Sequence, residues 1–365
     1  MKMPITYGKE ICEMMMRKFE AAELPPKGKF HYHQGVFLSG VYQIYKLCKE
    51  EKYFEYIKEW VDSIIDEEGE IHSFDPGMLD DIQPGILLYP LLDATKDKRY
   101  QIALDTLLPY ILNFNRNEVG GLWHKVYHPD QMWLDGLYMA GPISVEYAVR
   151  YNKQEYLDLA IEQALLMRKY TEDKDTGLWY HAWDCSKREL WADKETGRSS
   201  QFWGRSIGWV PVAILDELDF IDIENPKYGE MCSLVRDLLT AICKYQSKEG
   251  RWYQVVDKGG KEGNWLENSC SCLYVAAICK AVSKGILDEK YIQNAKRGYQ
   301  AVINTLTWEG KDIQMGDICV GTGVGDYEYY CNRKTSVNDL HGLGAFLIMC
   351  AEMQKEYEKE HVKID

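Results

Sequence analysis

Gly177-Leu178-Trp179-Tyr180-His181 follows the second of two adjoining helical patterns, and the same cue returns along the chain. It recurs as Gly121-Leu122-Trp123-His124, as Gly250-Arg251-Trp252-Tyr253 and, in degenerate form, as Gly69-Glu70-Ile71-His72. A helix pair closed by a Gly-x-Trp loop is a repeating unit. Working outward from these loops, apolar residues spaced at i, i+3, i+4 and i+7 predict helices over about 6–20, 35–50, 53–66, 85–95, 99–114, 136–151, 155–170, 204–218, 228–247, 269–284, 289–307 and 337–356. Helical hairpins in such a series stack into a linear solenoid or close into a toroid. Solenoids keep tight periods and distinct capping units, whereas the periods here are uneven. The chemically capable residues also crowd into the loops after alternate helices, which suits one mouth of a closed barrel. The expectation is therefore an all-α (α/α)6 barrel of six hairpins, a single domain over residues 1–365 with no Pro/Gly/Ser-rich linker.

Composition narrows the partners. A net charge of -14 argues against nucleic acid and anionic membranes, both of which demand a basic surface. No run approaches the length of a membrane span, and the first twenty residues carry Glu10, Glu13 and Glu20 without an apolar stretch, so no signal peptide is expected. The eleven cysteines include no C-x-x-C pair, and several fall in helical patterns as small apolar residues; reduced thiols in a cytoplasmic protein are the expectation. Twenty-six tyrosines and 11 tryptophans supply the flat faces on which sugars stack, though aromatics are also ordinary core material.

Within this frame Met132-Trp133-Leu134-Asp135-Gly136-Leu137-Tyr138-Met139 sets one carboxylate between aromatics and aliphatics. Such company strips hydration from the charged form and is expected to raise the pKa, as a general acid requires. The alternative is that Asp135 only caps the helix beginning at Gly136. Trp203-Gly204-Arg205-Ser206-Ile207-Gly208-Trp209 offers a guanidinium fork suited to a carboxylate between two tryptophans, or else a helix start with a surface salt bridge. His124 and His128 stand four apart, but in a loop ended by Pro129 and without H-E-x-x-H, so no metal and no other cofactor is expected. Gly321-Thr322-Gly323-Val324-Gly325-Asp326 lacks the Gly-Lys-Ser/Thr of a phosphate loop; with Tyr327, Tyr329 and Tyr330 it suits a mobile aromatic loop over a pocket.

Taken in order, His31-Tyr32-His33-Gln34-Gly35, Leu79-Asp80-Asp81-Ile82-Gln83-Pro84-Gly85, Trp123-His124-Lys125, Gln131 to Met139, Tyr180-His181-Ala182-Trp183-Asp184, Trp203-Gly204-Arg205 with Gly208-Trp209, and Gly342-Leu343-Gly344-Ala345-Phe346 resemble the unsaturated rhamnogalacturonyl hydrolases of glycoside hydrolase family 105, which are related to the unsaturated glucuronyl hydrolases of family 88. The resemblance covers nearly the whole chain and implies the same (α/α)6 barrel. It implies as substrate a small anionic oligosaccharide left by a polysaccharide lyase, ending in a 4,5-unsaturated uronic acid, and a reaction that hydrates this enol ether. By resemblance Asp135 is the general acid and base and Asp80 the second acid, with Asp81 the alternative. Tyr32, His33, Asp81, His124, Lys125, Trp133, Met139, His181, Arg205 and Trp209 are the implied substrate contacts, Lys125 and Arg205 supplying the local positive charge. The competing expectations are a non-catalytic protein binding the unsaturated uronate, and a different α/α-barrel sugar enzyme. The leaving sugar and the oligomeric state are not legible from the residues.

Overall fold

The structure is a computed structural model describing residues 2–362, so residue 1 and residues 363–365 of the expected domain lie outside the described residues. Its helices are α1 (Pro4–Lys18), α2 (Tyr32–Cys48), α3 (Glu51–Asp62), α4 (Leu88–Thr95), α5 (Lys98–Leu112), α6 (Asp135–Tyr151), α7 (Gln154–Thr171), α8 (Gly204–Glu217), α9 (Tyr228–Lys244), α10 (Asn268–Ser283), α11 (Ile292–Ile303), α12 (Tyr327–Cys331) and α13 (Leu340–Val362). None of them is long and apolar enough to cross a membrane.

Two classes of helix follow from two burial patterns. In α3 the buried residues are Tyr53, Tyr56, Ile57, Trp60 and Val61, a single stripe facing one neighbour. In α6 every residue from Leu137 to Ala148 is buried, and in α10 every residue from Asn268 to Cys279. A helix buried all round needs partners on all sides. The contacts supply them: α2 packs on α13, α13 on α10, α10 on α8, and α8 on α6. The circuit is completed by the 3-10 turn Gln83–Leu87 leading into α4, which touches both α6 and α2. Because the first and last inner helices meet, the repeat closes as an (α/α)6 barrel, and a linear solenoid is ruled out. Helices α1, α3, α5, α7, α9 and α11 form the outer layer.

The recurring loop has a backbone cause. Gly69, Gly120, Gly177 and Gly250 adopt positive φ of 85°, 90°, 76° and 101°, which side chains beyond glycine resist. Two residues on, Ile71, Leu122 and Trp179 bridge back to Ile65, Arg116 and Glu172 at the end of the outer helix. The second copy is therefore in register from Gly120, not Gly121: Leu122 is the counterpart of Trp179 and Trp252 and is buried like them, while Trp123 is only partly covered.

Helix ends depart from expectation where the capping signal is weak. Helix α2 begins at Tyr32, three residues before the apolar periodicity, with extended His31 as its N-cap and no side-chain cap bond. Helix α12 forms inside the aromatic loop because the Asp326 side chain accepts the Tyr329 N–H at 2.8 Å. Four two-stranded ribbons were not expected from periodicity, being two or three residues per strand: β1 (Gln131–Trp133) with β2 (Ala182–Asp184), β3 (Trp252–Tyr253) with β4 (Leu266–Glu267), β5 (Thr307–Glu309) with β6 (Asp312–Gln314), and β7 (Ile318–Cys319) with β8 (Thr335–Ser336).

The α2–α13 closure depends on backbone-to-backbone approach. A Cβ on Gly344 would lie 2.5 Å from the Val36 carbonyl oxygen and 2.7 Å from the Phe37 nitrogen. In an open helix Gly→Ala stabilises by about 1 kcal/mol. Here Gly344→Ala is expected to destabilise by roughly 1–3 kcal/mol, as overpacking does. Urea unfolding measures the sign, and a stabilised variant would contradict the close approach.

Candidate active site

Barrel geometry gathers residues far apart in sequence. Tyr32 and His33 lie in the first turn of α2, Asp135 opens α6, Arg205 is the second residue of α8, and His341 is the second residue of α13. All sit at the N-terminal ends of inner helices, whose partial positive charge favours an anion there. Loops complete the mouth. The Trp133↔Ala182 register of β1 and β2, with the Leu134 N–H donating to the His181 carbonyl at 3.0 Å, brings His181 beside Asp135.

Asp135 does not cap its helix. It is already helical, Leu134 occupies the N-cap, and no side chain caps that end. The carboxylate instead faces His181, whose Nε2 lies 3.2 Å from Oδ2 without the alignment of a full hydrogen bond, and the side chain keeps 13% of its surface open. Burial pushes this carboxyl up, but His181, His124 and Arg205 outweigh it, so its pKa lies below the ordinary carboxylate value. The expectation of a raised pKa is thereby corrected for the free protein: apolar sequence neighbours are outvoted by polar groups from other loops. Burial also lowers the His181 pKa and keeps the ring neutral. Arg205 is therefore the standing positive charge near Asp135. The Tyr330 hydroxyl accepts from the Gly325 N–H at 3.3 Å and lies 2.7 Å from His181 Nδ1. The Asp135 carboxylate facing Nε2 can only accept, so the ring proton is assigned to Nε2 and Nδ1 accepts from the Tyr330 hydroxyl.

The two neighbouring aspartates separate cleanly. Asp80 Oδ1 lies 3.2 Å from His124 Nε2 and Oδ2 lies 2.7 Å from Lys125 Nζ. Although burial opposes it, His124 and Lys125 hold Asp80 far below the usual carboxylate range. Asp81 is committed elsewhere: Oδ1 is 2.6 Å from His31 Nδ1, and Oδ2 accepts the Asp75 N–H at 3.0 Å, tying its own loop. Lys125 is thus already neutralised by Asp80 rather than free for a ligand.

Aromatic faces line the same mouth. Trp133 stacks on His124 at 4.6 Å and on His128 at 5.3 Å, and meets His181 edge-on at 5.5 Å. The glycine loop closes over it: a methyl on Gly323 would lie 3.9 Å from Trp133, and one on Gly321 3.9 Å from the Tyr32 hydroxyl. Arg205 is buried over Trp203, its centre 4.6 Å from the ring. Its guanidinium donates to the Cys319 carbonyl and, at 2.9 Å, to the Val320 carbonyl, and no carboxylate of the described residues pairs with it. The guanidinium is fixed by backbone carbonyls, with the Glu267 and Asp135 carboxylates acting on it from beyond ion-pair distance, and among the described residues the surface salt bridge is absent.

Two implied contacts fall elsewhere. Trp209, one turn deeper in α8, is buried and stacks on Tyr138 at 4.5 Å. Met139 and Tyr138 border a cavity of about 570 Å³ near Lys46, Arg150, Asp216 and Lys280. Those residues occupy the last turns of α2, α6, α8 and α10, so this cavity opens at the opposite end of the barrel from Asp135. Met139 is four residues beyond Asp135, a full turn down the barrel axis. Conversely, Tyr330 was expected only as an aromatic of the mobile loop and not as the partner of His181, and nothing in the sequence signalled the Cys319 carbonyl.

Carboxylates, imidazoles and indoles at one mouth of a helical barrel, around a charge aimed at an anion, define the carbohydrate-processing class of (α/α)6 enzymes. Comparison with known proteins agrees. The profile of Glycosyl Hydrolase Family 88 matches residues 7–357. The solved glycoside hydrolase from family 105 of C. acetobutylicum ATCC 824 is 30% identical, with a TM-score of 0.91 over 96% of this chain and 99% of that one. The unsaturated rhamnogalacturonyl hydrolase YesR of Bacillus subtilis (strain 168) is 26% identical over 296 residues, 80% of this chain and 79% of its own length. The unsaturated glucuronyl hydrolase of Bacillus sp. GL1, 16% identical over 97% of this chain and 96% of that one, shares the fold at a TM-score of 0.71. The chain therefore belongs to Glycosyl Hydrolase Family 88, has family 105 proteins among its structural neighbours, and is a glycosidase.

Proposed function

We propose that this glycosidase releases the terminal 4,5-unsaturated uronic acid from lyase-generated oligosaccharides of rhamnogalacturonan type. The observation that carries this reading is the uncapped Asp135 carboxylate, held beside the His181 N–H and the Trp133 face in a mouth whose Arg205 charge has no carboxylate partner. Protonated Asp135 gives its proton to C4 of the enol ether, leaving positive charge at C5 that is shared with the ring oxygen. The resulting Asp135 carboxylate takes a proton from water as the water oxygen bonds to C5. The hemiketal so formed opens by breaking its bond to the ring oxygen, and the exposed anomeric hemiacetal expels the remaining sugar as an alcohol. One water is consumed and Asp135 ends protonated, as it began. Asp80, held ionised by His124 and Lys125, orients the sugar hydroxyls and stabilises the charge at C5. The protein acts as a single catalytic unit in a reducing, cytoplasmic compartment, a reading supported by its eleven free cysteines.

The test is incubation with oligosaccharides from several polysaccharide lyases, following loss of the ultraviolet absorbance of the conjugated uronate. Saturable binding without that loss would favour a binding protein, and turnover of saturated sugars alone would favour a different barrel enzyme. The pH dependence follows from the signs above. The reaction begins from protonated Asp135, whose pKa in the free protein lies below the ordinary carboxylate value. Hence kcat/KM is expected to fall with rising pH from the acid side through neutrality. The bound uronate adds a negative charge, which raises the Asp135 pKa, so kcat should fall at a higher pH than kcat/KM. Parallel pH profiles of the two constants check this; profiles flat into the alkaline range would remove Asp135 as the acid.

A further inference from the structure

His33 in the first turn of α2, Asp339 just before α13 and His341 in its first turn meet at the seam where the barrel closes. His341 is wholly buried, and its Nε2 lies 3.0 Å from the Cys319 carbonyl. That carbonyl can only accept, and it already accepts from Arg205. The Asp339 carboxylate, whose Oδ1 lies 2.8 Å from Nδ1, also accepts only, so a neutral His341 ring with one proton leaves one of its nitrogens facing an oxygen lone pair. Nδ1 has no hydrogen-bond partner. A second ring proton or a bound cation resolves that opposition. His33 Nε2 stands 3.8 Å from the same Asp339 oxygen, and one donor atom from each of the three residues lies within 4.8 Å of the others.

We propose that His33, Asp339 and His341 form a binding site for a divalent transition metal of zinc-like preference, with a fourth position open towards the sugar mouth. Two imidazoles and one carboxylate form a three-ligand set that zinc accepts with one position left for water or a ligand. In a tetrahedral zinc site neighbouring donor atoms stand about 3.3–3.5 Å apart, a spacing that the 2.8 and 3.8 Å separations bracket. The Cys319 carbonyl is the outer partner that fixes the His341 tautomer, as outer-shell acceptors do for metal-bound histidine. The ion would tie the start of the last inner helix to the start of the first. The site uses neither Asp135 nor Asp80; it shares His33 with the implied sugar contacts, and its test reads metal binding rather than turnover. It is also distinct from His124 and His128, which the structure stacks against Trp133.

The experiment uses the full chain, stripped with a chelator and titrated with cobalt(II) and then zinc(II). The expected result is one equivalent bound, with the visible ligand-field bands of four-coordinate cobalt and a zinc-dependent rise in thermal midpoint. His33→Ala, at the rim of the seam, and Asp339→Asn should each weaken binding by at least the roughly 10–100-fold that even outer-shell changes cost. Both retain the buried His341, so both should fold, and circular dichroism checks that they do. All eleven cysteines are free, and metal held by them would give thiolate charge-transfer bands insensitive to these variants. That outcome, or no stoichiometric binding to the wild-type chain, overturns the proposal; so does a His341 ring found by NMR to be doubly protonated at neutral pH.

Discussion

Asp135→Asn is expected to lower kcat by roughly 10²–10⁴-fold, the range lost when a positioned acid or base is removed. The loss should be a kcat effect because the same group gives a proton to C4 and takes one from water, and an amide does neither. The asparagine amide is nearly isosteric with the carboxylate it replaces, and the native side chain carries no helix-capping bond to lose. Stability should therefore change little; removing a charge held in burial costs nothing that the amide cannot replace with the same His181 contact. The measurement pairs steady-state kinetics on an unsaturated disaccharide with thermal unfolding of the same preparation. Undiminished kcat in a folded variant would sink the mechanism. Inactivity with a collapsed thermal midpoint would instead return Asp135 to a structural role.

Arg205→Met should raise KM while moving kcat much less, because a charge that attracts the uronate acts on ground and transition states alike. Losing one partner of a buried charge pair costs about 2–5 kcal/mol, and each 1.4 kcal/mol is tenfold in affinity, so KM is expected to rise by tens- to thousands-fold. The loss in stability should be smaller, since the Cys319 carbonyl keeps the His341 ring and the Val320 carbonyl keeps the Thr322 hydroxyl as partners. A second readout separates the two effects. Without the guanidinium the Asp135 pKa rises, and the alkaline limb of kcat/KM should move to higher pH. Arg205→Lys, which keeps the charge, should leave that limb near its wild-type position. A methyl-ester substrate, lacking the carboxylate, should bind wild type and Arg205→Met about equally. If Arg205→Met binds the acid as well as wild type does, Arg205 is a structural cation only.

How far residues alone reached can be judged element by element. Helix periodicity located the inner and outer helices of every hairpin, because a 3.6-residue apolar repeat is a local property of the chain. The Gly-x-Trp loops were visible because left-handed backbone selects glycine locally, although the Gly120/Gly121 doublet concealed which glycine carried it. Asp135 stood out by its apolar company, and the segments resembling family 105 gave it a role. The same company misled on its pKa, since His181, His124 and Arg205 reach it from three other segments.

Sequence by itself determined the helical hairpin repeat, the candidate acid and the family to which the chain belongs. Tertiary structure alone decided closure, through the Gly344 approach of α13 to α2, because contact between the ends of a chain leaves no periodicity in it. It decided that Asp80 pairs with His124 and Lys125 while Asp81 ties a loop, because adjacent residues in a 3-10 turn point in different directions. It set Met139 one helical turn below Asp135, against the inner part of the cavity that opens at the other end. And it joined His33 to His341 across the seam, a pairing that no spacing in the chain announces, because only barrel closure brings the first and last inner helices together.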